Sequence, residues 1–195
     1  MRAERIQGVA RDERLARLVG FWWGFAEGLF FFIVPDVYVS FATLFSLRAG
    51  AAAWLSSIAG STAAIVVLYV LIVMLRLDYV SFLASIPGIS GALIERVAGR
   101  LGAEGLPYTP LLVLGGVPLK LYGGLAFSLG LSLGSVLLWT VFARVVRIAP
   151  TFAGAAALRL VFRGPIDARA TVWCALLGCF WFVFYIVYFF RISRE

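Results

Sequence analysis

Two carboxylates, Glu27 and Asp36, lie in a run of residues at positions 19–47 that carries no other charge. A carboxylate is costly at the depth of lipid hydrocarbon, so an ionisable pair in such a run is a functional-site hypothesis in itself. Pro35 directly precedes Asp36. It has no backbone N–H to donate and moves Val34 away from helical angles, so a helix that enters here has to end or turn.

The run before Pro35 is too short to cross a bilayer. About 14 residues of helix cover roughly 21 Å, less than the ~30 Å of the hydrocarbon core. The sequence therefore predicts a re-entrant hairpin at residues 19–47 with its tip at Pro35. Non-helical backbone is tolerated at that depth only where protein or a polar cavity surrounds it. One kinked span over residues 21–47 is the alternative.

The composition is that of an all-α integral membrane protein. Of the 195 residues 63% are hydrophobic, and the mean hydropathy is +0.99. The net charge of +7 comes mainly from arginines at the ends of apolar runs, as in spans that are anchored on their cytoplasmic side. These arginines form no basic patch on a soluble domain, so nucleic acid is not an expected partner.

The sequence contains no histidine, which excludes a histidine base, a Ser-His pair and a histidine-bound metal. It also contains no D-x-x-D cluster of the kind that would hold Mg²⁺ for an enzyme acting on phospholipid. We therefore expect no enzymatic activity, no cofactor and no metal.

The segments around the first hairpin differ in character. Residues 1–18 contain five arginines and predict an amphipathic cytoplasmic segment, with a solvated leader as the alternative. Residues 49–75 carry no charge and are long enough to span the bilayer. Residues 77–106 mix charged and apolar positions and predict an amphipathic linker, with a surface helix at 90–102.

The end of the chain predicts one more span. Residues 170–190 are apolar and end at Arg191. We expect the aromatic side chains of this span to contact lipid and the membrane interface; they are Trp173, Trp181, Tyr185 and Tyr188. Residues 19–195 would thus form a single membrane domain.

A second interrupted apolar stretch occupies residues 107–131. Pro118 follows Val117 there as Pro35 follows Val34, and the only lysine of the chain, Lys120, comes two residues later. The pattern predicts a second re-entrant hairpin with its tip at Pro118. Alternatively, Lys120 ends a helix and reaches to the membrane surface along its own aliphatic stem.

Arg144 and Arg147 belong to a span predicted at residues 132–160. With a helix start near Ser132, Arg144 lies about 18 Å along the helix, near the middle of the membrane. One uninterrupted helix over residues 121–142 would instead make both arginines interfacial anchors. Glycines between the two stretches favour the break.

The two halves share one order of elements, which predicts a pseudo-inverted repeat. Each has a short apolar piece, a proline with a charged residue close after it, a second short piece and a full span. Paired interrupted segments of this kind indicate a transporter whose substrate binds near the bilayer midplane. The first half contributes acids to that site (Glu27, Asp36), and the second contributes bases (Lys120, Arg144, Arg147).

Two motif regions carry a family resemblance, namely Glu27-x₇-Pro35-Asp36 and Gly116-x-Pro118-x-Lys120 followed by Phe142-x-Arg144-x₂-Arg147. With them, residues 21–150 resemble the DedA family (SNARE-associated Golgi, or VTT-domain, membrane proteins), and within it the YqaA-like branch. The resemblance implies two re-entrant hairpins that face each other. It also implies movement of lipids, including polyprenyl-phosphate carriers, across a bilayer. Val34 stands where the family often has a second proline.

The expected function is therefore translocation of a lipid, such as a polyprenyl-phosphate-like anionic lipid, by a multi-pass protein of the cell membrane with a cytoplasmic N-terminus. Lys120, Arg144 and Arg147 would hold a phosphate, while Glu27 and Asp36 would exchange protons or pair with the bases. A proton- or ion-coupled exporter of a small solute and a purely structural subunit are the alternatives. Expected partners are membrane lipids, and assembly into a homo-oligomer is left open.

Overall fold

The computed structural model describes residues 8–31, 33–86, 89–109 and 118–192. Its helices are α1 (Glu13–Leu29), α2 (Asp36–Phe45), α3 (Leu47–Tyr69, continued by a π-helical end Val70–Met74), α4 (Tyr79–Ser85), α5 (Gly91–Glu104), α6 (Leu119–Ser128), α7 (Leu133–Val161), α8 (Arg163–Ala168) and α9 (Ala170–Ile192). Over these residues the chain contains helices and no strand. The expectation of an all-helical protein is confirmed.

Helices α3, α7 and α9 are long and apolar enough to cross a membrane. They correspond to the three spans expected from the sequence, and α5 corresponds to the expected surface helix. Helix α1 begins at Glu13 and continues without a break across residue 18, where the sequence predicted the start of the membrane domain. The Asp12 side chain caps α1 by accepting hydrogen bonds from the backbone N–H groups of Arg14 and Leu15. Residues 1–7 and residues 110–117, which fall within the second hairpin predicted at 107–131, lie outside the described residues.

Helix α1 packs parallel to α3 at very short range. The facing pairs are Gly20 with Ala53, Gly24 with Ser57 and Gly28 with Ala64. A Cβ atom on Gly24 would lie 2.8 Å from the carbonyl carbon of Ser57, which is closer than side chains approach backbone. Small residues on both helices allow this contact, as is common between helices in membranes.

Helices α2 and α7 run in the direction opposite to α3. The start of α3 packs against Val39 and Ala42 of α2 and against Ile148 of α7. The indole ring of Trp54 in α3 lies 5.1 Å from the ring of Phe152. At the other end of α3, a separate apolar cluster contains the first turns of α7. The two long helices α3 and α7 therefore lie antiparallel.

Helix α6 runs parallel to α3, along its second half. Gly123 of α6 lies against the side chain of Ile65, and one turn later the rings of Phe127 and Tyr69 are 5.3 Å apart. After α6 the chain turns back through Gly130, whose φ of 81° is a left-handed value that favours glycine. The Ser132 side chain then caps α7. One helix over residues 121–142 is thus excluded.

The turn between α1 and α2 and the start of α6 at Pro118 both lie beside the middle of α3. The turn between α1 and α2 follows Gly28, which contacts Ala64. Pro118 lies one turn before Gly123, which contacts Ile65. These contacts are ten or so residues from the end of the 28-residue helix, about 15 Å at ~1.5 Å per residue. Because the chain reverses direction between Leu29 and Asp36, residues 21–47 do not form one kinked span.

An exposed ionic contact joins the start of the chain to the end of α7. The Asp167 carboxylate in α8 accepts a hydrogen bond of 2.7 Å from the guanidinium of Arg11 and another of 2.7 Å from that of Arg159. The hydrogen bond from Arg159 is the main reason that the pKa of Asp167 is lowered. The contact therefore ties together three segments at one end of the bundle.

We predict that Gly24→Ala destabilises the protein by about 1–3 kcal/mol, the usual cost of adding atoms to a filled core. The new Cβ atom would push α1 away from the backbone of α3. Thermal unfolding of the detergent-solubilised protein measures the effect. Gly134→Ala in α7 is the matched control, because a Cβ atom there meets nothing within 4 Å. Equal melting temperatures for the two variants would contradict this packing.

We predict that Asp167→Asn costs at most about 1 kcal/mol at neutral pH, because the contact is partly exposed to solvent. A carboxylate whose pKa is lowered by folding stabilises the folded protein above its ordinary pKa of 3.8, and this contribution is lost as the pH falls through the lowered value. The difference in melting temperature between the native protein and the variant should be constant from about pH 6 to about pH 8, where the carboxylate stays ionised. It should shrink in acid; a difference that grows on acidification would refute the assignment.

Candidate functional site

The turn between α1 and α2 leaves backbone groups without helical partners, and side chains from three helices bind them. The contacts are from Trp23 Nε1 to the carbonyl oxygen of Ile33 (2.8 Å), from the Val34 N–H to the Tyr185 hydroxyl (2.8 Å), and from Lys120 Nζ to the carbonyl oxygen of Phe31 (2.8 Å). Such partners are what irregular backbone needs wherever water is excluded. Pro35 then stands at the N-cap of α2.

Pro118 and Lys120 bring the second half of the chain to the same turn. Pro118 is the N-cap of α6, and Lys120 is the second residue of that helix. The Lys120 side chain is 1% exposed. Its ammonium group reaches the turn between α1 and α2, while its own carbonyl oxygen accepts a hydrogen bond from the Tyr79 hydroxyl. The Lys120 ammonium group thus binds the first turn inside the protein, and the side chain does not extend outward from the start of α6.

Glu27 of α1 and Arg144 of α7 form a buried ion pair. Glu27 is 2% exposed and Arg144 is 1% exposed. The glycines on either side of Glu27, at positions 24 and 28, face α3 and bring α1 close to it. An ion pair in such a place gains Coulomb energy but loses the hydration of both groups, so breaking it costs far more than its net contribution suggests.

Asp36, the first residue of α2, lies near the second arginine of α7. It is 4% exposed, and its Oδ1 atom accepts a hydrogen bond of 2.9 Å from the Thr151 hydroxyl. Among the described residues its Oδ2 atom has no hydrogen-bond partner. The half-buried guanidinium group of Arg147 interacts electrostatically with Asp36. It makes no hydrogen bond or ion pair with the part of the chain that the structure describes.

The structure brings all five predicted charged residues together around the first turn. Arg144 pairs with Glu27, and Arg147 interacts electrostatically with Asp36, Lys120 and Arg144. Arg144 and Arg147 are the twelfth and fifteenth residues of the 29-residue helix α7, and so occupy its centre. We call these five side chains the central charge cluster. It combines acids of the first half with bases of the second.

Three residues of this site were not found from the sequence. Thr151 lies four residues after Arg147, which places it on the same face of α7, but a threonine in an apolar span carries no signal of its own. The expectation that Trp181 and Tyr185 face lipid is wrong. Trp181 is 8% exposed and donates a hydrogen bond of 2.9 Å to Ser40, while Tyr185 binds Val34. Their spacing of four residues on one helix was the available signal.

Within the described ranges no three cysteine, aspartate or glutamate side chains gather in a way that could hold a metal ion. Comparisons with protein-family models, with curated proteins and with solved structures found no match to this chain.

We predict that Glu27→Gln lowers stability by about 3–5 kcal/mol, because it leaves the Arg144 guanidinium group buried without a countercharge. The double variant Glu27→Leu/Arg144→Met should recover much of that loss, since apolar side chains of similar volume can replace a buried ion pair at little cost. Thermal unfolding in detergent measures both effects. If the double variant is as unstable as Glu27→Gln, the two side chains do not form a pair.

Proposed function

We propose that the protein is a membrane transporter that moves a lipid with an anionic, phosphate-bearing headgroup across the bilayer. The observation that carries the proposal is the meeting of the turn before Pro35 with the start of α6 at Pro118, one from each half of the chain, in the central charge cluster beside the middle of α3. Transporters built from repeats bind their substrates at such broken helices near the bilayer midplane.

Helix lengths support the proposal that Pro35 and Pro118 mark the tips of two re-entrant hairpins in an inverted repeat. In each half a ten-residue helix follows directly after a proline (α2 and α6), and a serine then caps a helix of 28 or 29 residues (α3 and α7). Ten residues of helix cover about 15 Å, half of the hydrocarbon core. The two pairs run in opposite directions, as an inverted repeat requires.

The balance of charges in the cluster favours an anionic substrate. Among the described residues the cluster contains three basic side chains and two carboxylates, which gives it a net charge of +1 when all five are ionised. At the depth of hydrocarbon such a surplus is costly, and an anionic headgroup would neutralise it. Arg147 is the best candidate to bind the headgroup, because a guanidinium group can make two parallel hydrogen bonds to a phosphate.

The two acids would have different tasks. Glu27 is occupied by Arg144 and holds that arginine in place. Asp36 has a carboxylate oxygen that accepts no hydrogen bond from the described residues, so it is free to accept a proton. Proton exchange at Asp36 would change the net charge of the cluster between substrate-bound and empty states. This couples transport to protons in the way that intramembrane carboxylates of pumps and transporters do.

One end of the bundle is rich in arginine, which supports a cytoplasmic N-terminus. The ends of α1, α3, α7 and α8 meet there, and the exposed arginines are Arg11, Arg14, Arg17, Arg48, Arg163 and Arg169. Positive charge near span ends marks the cytoplasmic side. An odd number of spans would then bring the end of α9 to the other side. This arrangement, with lipid transport as the activity, agrees with the DedA-type resemblance, which itself stays a proposal.

The test is a translocation assay in proteoliposomes with a fluorescent polyprenyl phosphate, read by quenching of the label that reaches the outer leaflet. Native protein should accelerate the transfer, and Arg147→Gln and Asp36→Asn should each reduce the rate at least tenfold, corresponding to about 1.4 kcal/mol of lost interaction. Arg163→Gln, an exposed arginine outside the cluster, is the matched control and should transport normally.

A parallel assay loads the same vesicles with a soluble organic anion. Export of this solute without any transfer of lipid would overturn the lipid proposal in favour of a small-solute exporter. Normal lipid transfer by both cluster variants would show that the cluster is structural.

A further inference from the structure

Helix α9 is attached to the rest of the protein in two different ways along its length. At its beginning, Ala170, Trp173 and Leu177 pack into an apolar cluster with Leu44 and Phe45 at the end of α2. Further along, large apolar side chains point outward; Phe182, Val183, Val187 and Phe190 are 57–67% exposed. Beyond Leu177 the outer face of α9 is thus exposed, while Trp181 on its inner face is buried and contacts Ser40 of α2.

Two hydrogen bonds hold this second part against the first hairpin. Trp181 Nε1 donates to Ser40 Oγ at 2.9 Å, and the Val34 N–H donates to the Tyr185 hydroxyl at 2.8 Å. Both contacts are with the segment that carries Asp36. A hydrogen bond between helices makes only a modest net contribution to stability, also within a membrane. Each of these two bonds can therefore break and re-form.

Asp36 and Arg147 lie behind this part of α9. Tyr185 and Tyr188 both interact electrostatically with Arg147, and Tyr185 also with Asp36. The remaining sides of the cluster are closed by α1, α3 and α6, whose contacts with each other are extensive and apolar or at very short range. In the part of the chain that the structure describes, Trp181 and Tyr185 supply two hydrogen bonds between α9 and the first hairpin, and α9 is the least buried of the three long apolar helices.

Gly178 lies between the anchored and the hydrogen-bonded parts of α9. A Cβ atom on this glycine would meet nothing within 4 Å, so close packing does not require a glycine here. Glycine in the middle of a helix weakens it relative to alanine, because the backbone has more freedom to lose. Position 178 is therefore where α9 bends most readily.

From these contacts we infer that α9 is a lateral gate. Its part beyond Gly178 swings away from the first hairpin, breaks the Tyr185–Val34 and Trp181–Ser40 hydrogen bonds, and admits a lipid headgroup from the bilayer to Arg147 and Asp36. Tyr185 is then a positioning residue that holds the gate closed by binding the hairpin tip. The inference rests on the proposed lipid transport, for which it supplies the route of entry.

The test measures the movement of α9 directly. Spin labels are attached at Val187→Cys in α9 and Leu55→Cys in α3, both exposed positions, after Cys174 and Cys179 have been replaced by serine. Pulsed electron-paramagnetic resonance on the full protein in lipid nanodiscs then gives the distribution of distances. Closed and open gates should appear as a shorter-distance and a longer-distance population.

Tyr185→Phe should raise the longer-distance population by about fivefold to tenfold, since one hydrogen bond is lost. Phe182→Leu, three residues away and 67% exposed, is the matched control and should leave the distribution unchanged. Trp181→Phe provides a second variant if Tyr185→Phe does not fold. Unchanged distances in a folded Tyr185→Phe or Trp181→Phe protein would overturn the gate.

Gly178→Ala should reduce the longer-distance population about threefold, because alanine stiffens the helix by a large fraction of 1 kcal/mol. Gly154→Ala in α7 is its control, since a Cβ atom there also meets nothing within 4 Å. An equal effect of both substitutions would overturn the hinge at Gly178. The distance measurement and the lipid assay test separate claims. Movement of α9 without lipid transfer would refute the proposed function, and lipid transfer with a fixed α9 would refute the gate.

Discussion

The structure depends on hydrogen bonds from side chains to the non-helical backbone between α1 and α2. A helix hydrogen-bonds its own backbone, but Pro35 ends the helical pattern, and the carbonyl oxygens of Phe31 and Ile33 and the N–H of Val34 bind side chains instead. Where water is absent, each unsatisfied group costs several kcal/mol. Partners therefore come from other helices, namely Trp23 from α1, Lys120 from α6 and Tyr185 from α9. This requirement fixes where α6 and α9 can pack, and so links the two halves of the chain.

The central charge cluster follows from the same arrangement. Once α1 lies against α3 through its glycines, Glu27 is held at mid-height and needs a positive partner, which Arg144 in the centre of α7 supplies. Arg147, one turn further, then lies near Asp36 at the start of α2. One acid is thereby fixed by an ion pair, while the other keeps an oxygen without a partner among the described residues. The fixed Glu27–Arg144 ion pair lies beside the less constrained Asp36 and Arg147. This combination suits a site that must bind and release a charged group.

Much of this architecture could be predicted from the sequence, and the reasons are physical. Charges in apolar runs are rare and costly, so Glu27, Asp36, Lys120, Arg144 and Arg147 stood out, and the prolines marked the turns. The continuity of α1 across residue 18 was not predicted, because the arginines suggested a separate surface segment, although Asp12 is a clear helix cap. The hydrogen bonds of α9 were missed, because Trp181 and Tyr185 are compatible in sequence both with facing lipid and with binding the first hairpin. Only the contacts distinguish those cases.

The proposed transport of lipid at the central charge cluster requires the first turn to lie near the middle of the bilayer. The most direct measurement attaches a spin label at Ile33→Cys, where the side chain is 37% exposed, and compares its collisions with oxygen and with a water-soluble nickel complex. A label at Leu75→Cys, 68% exposed beside the end of α3, gives the reference for the membrane surface. We predict that the Ile33 label lies near the bilayer centre, with high oxygen and low nickel accessibility. A label at headgroup depth, with the accessibilities found at Leu75, would contradict it.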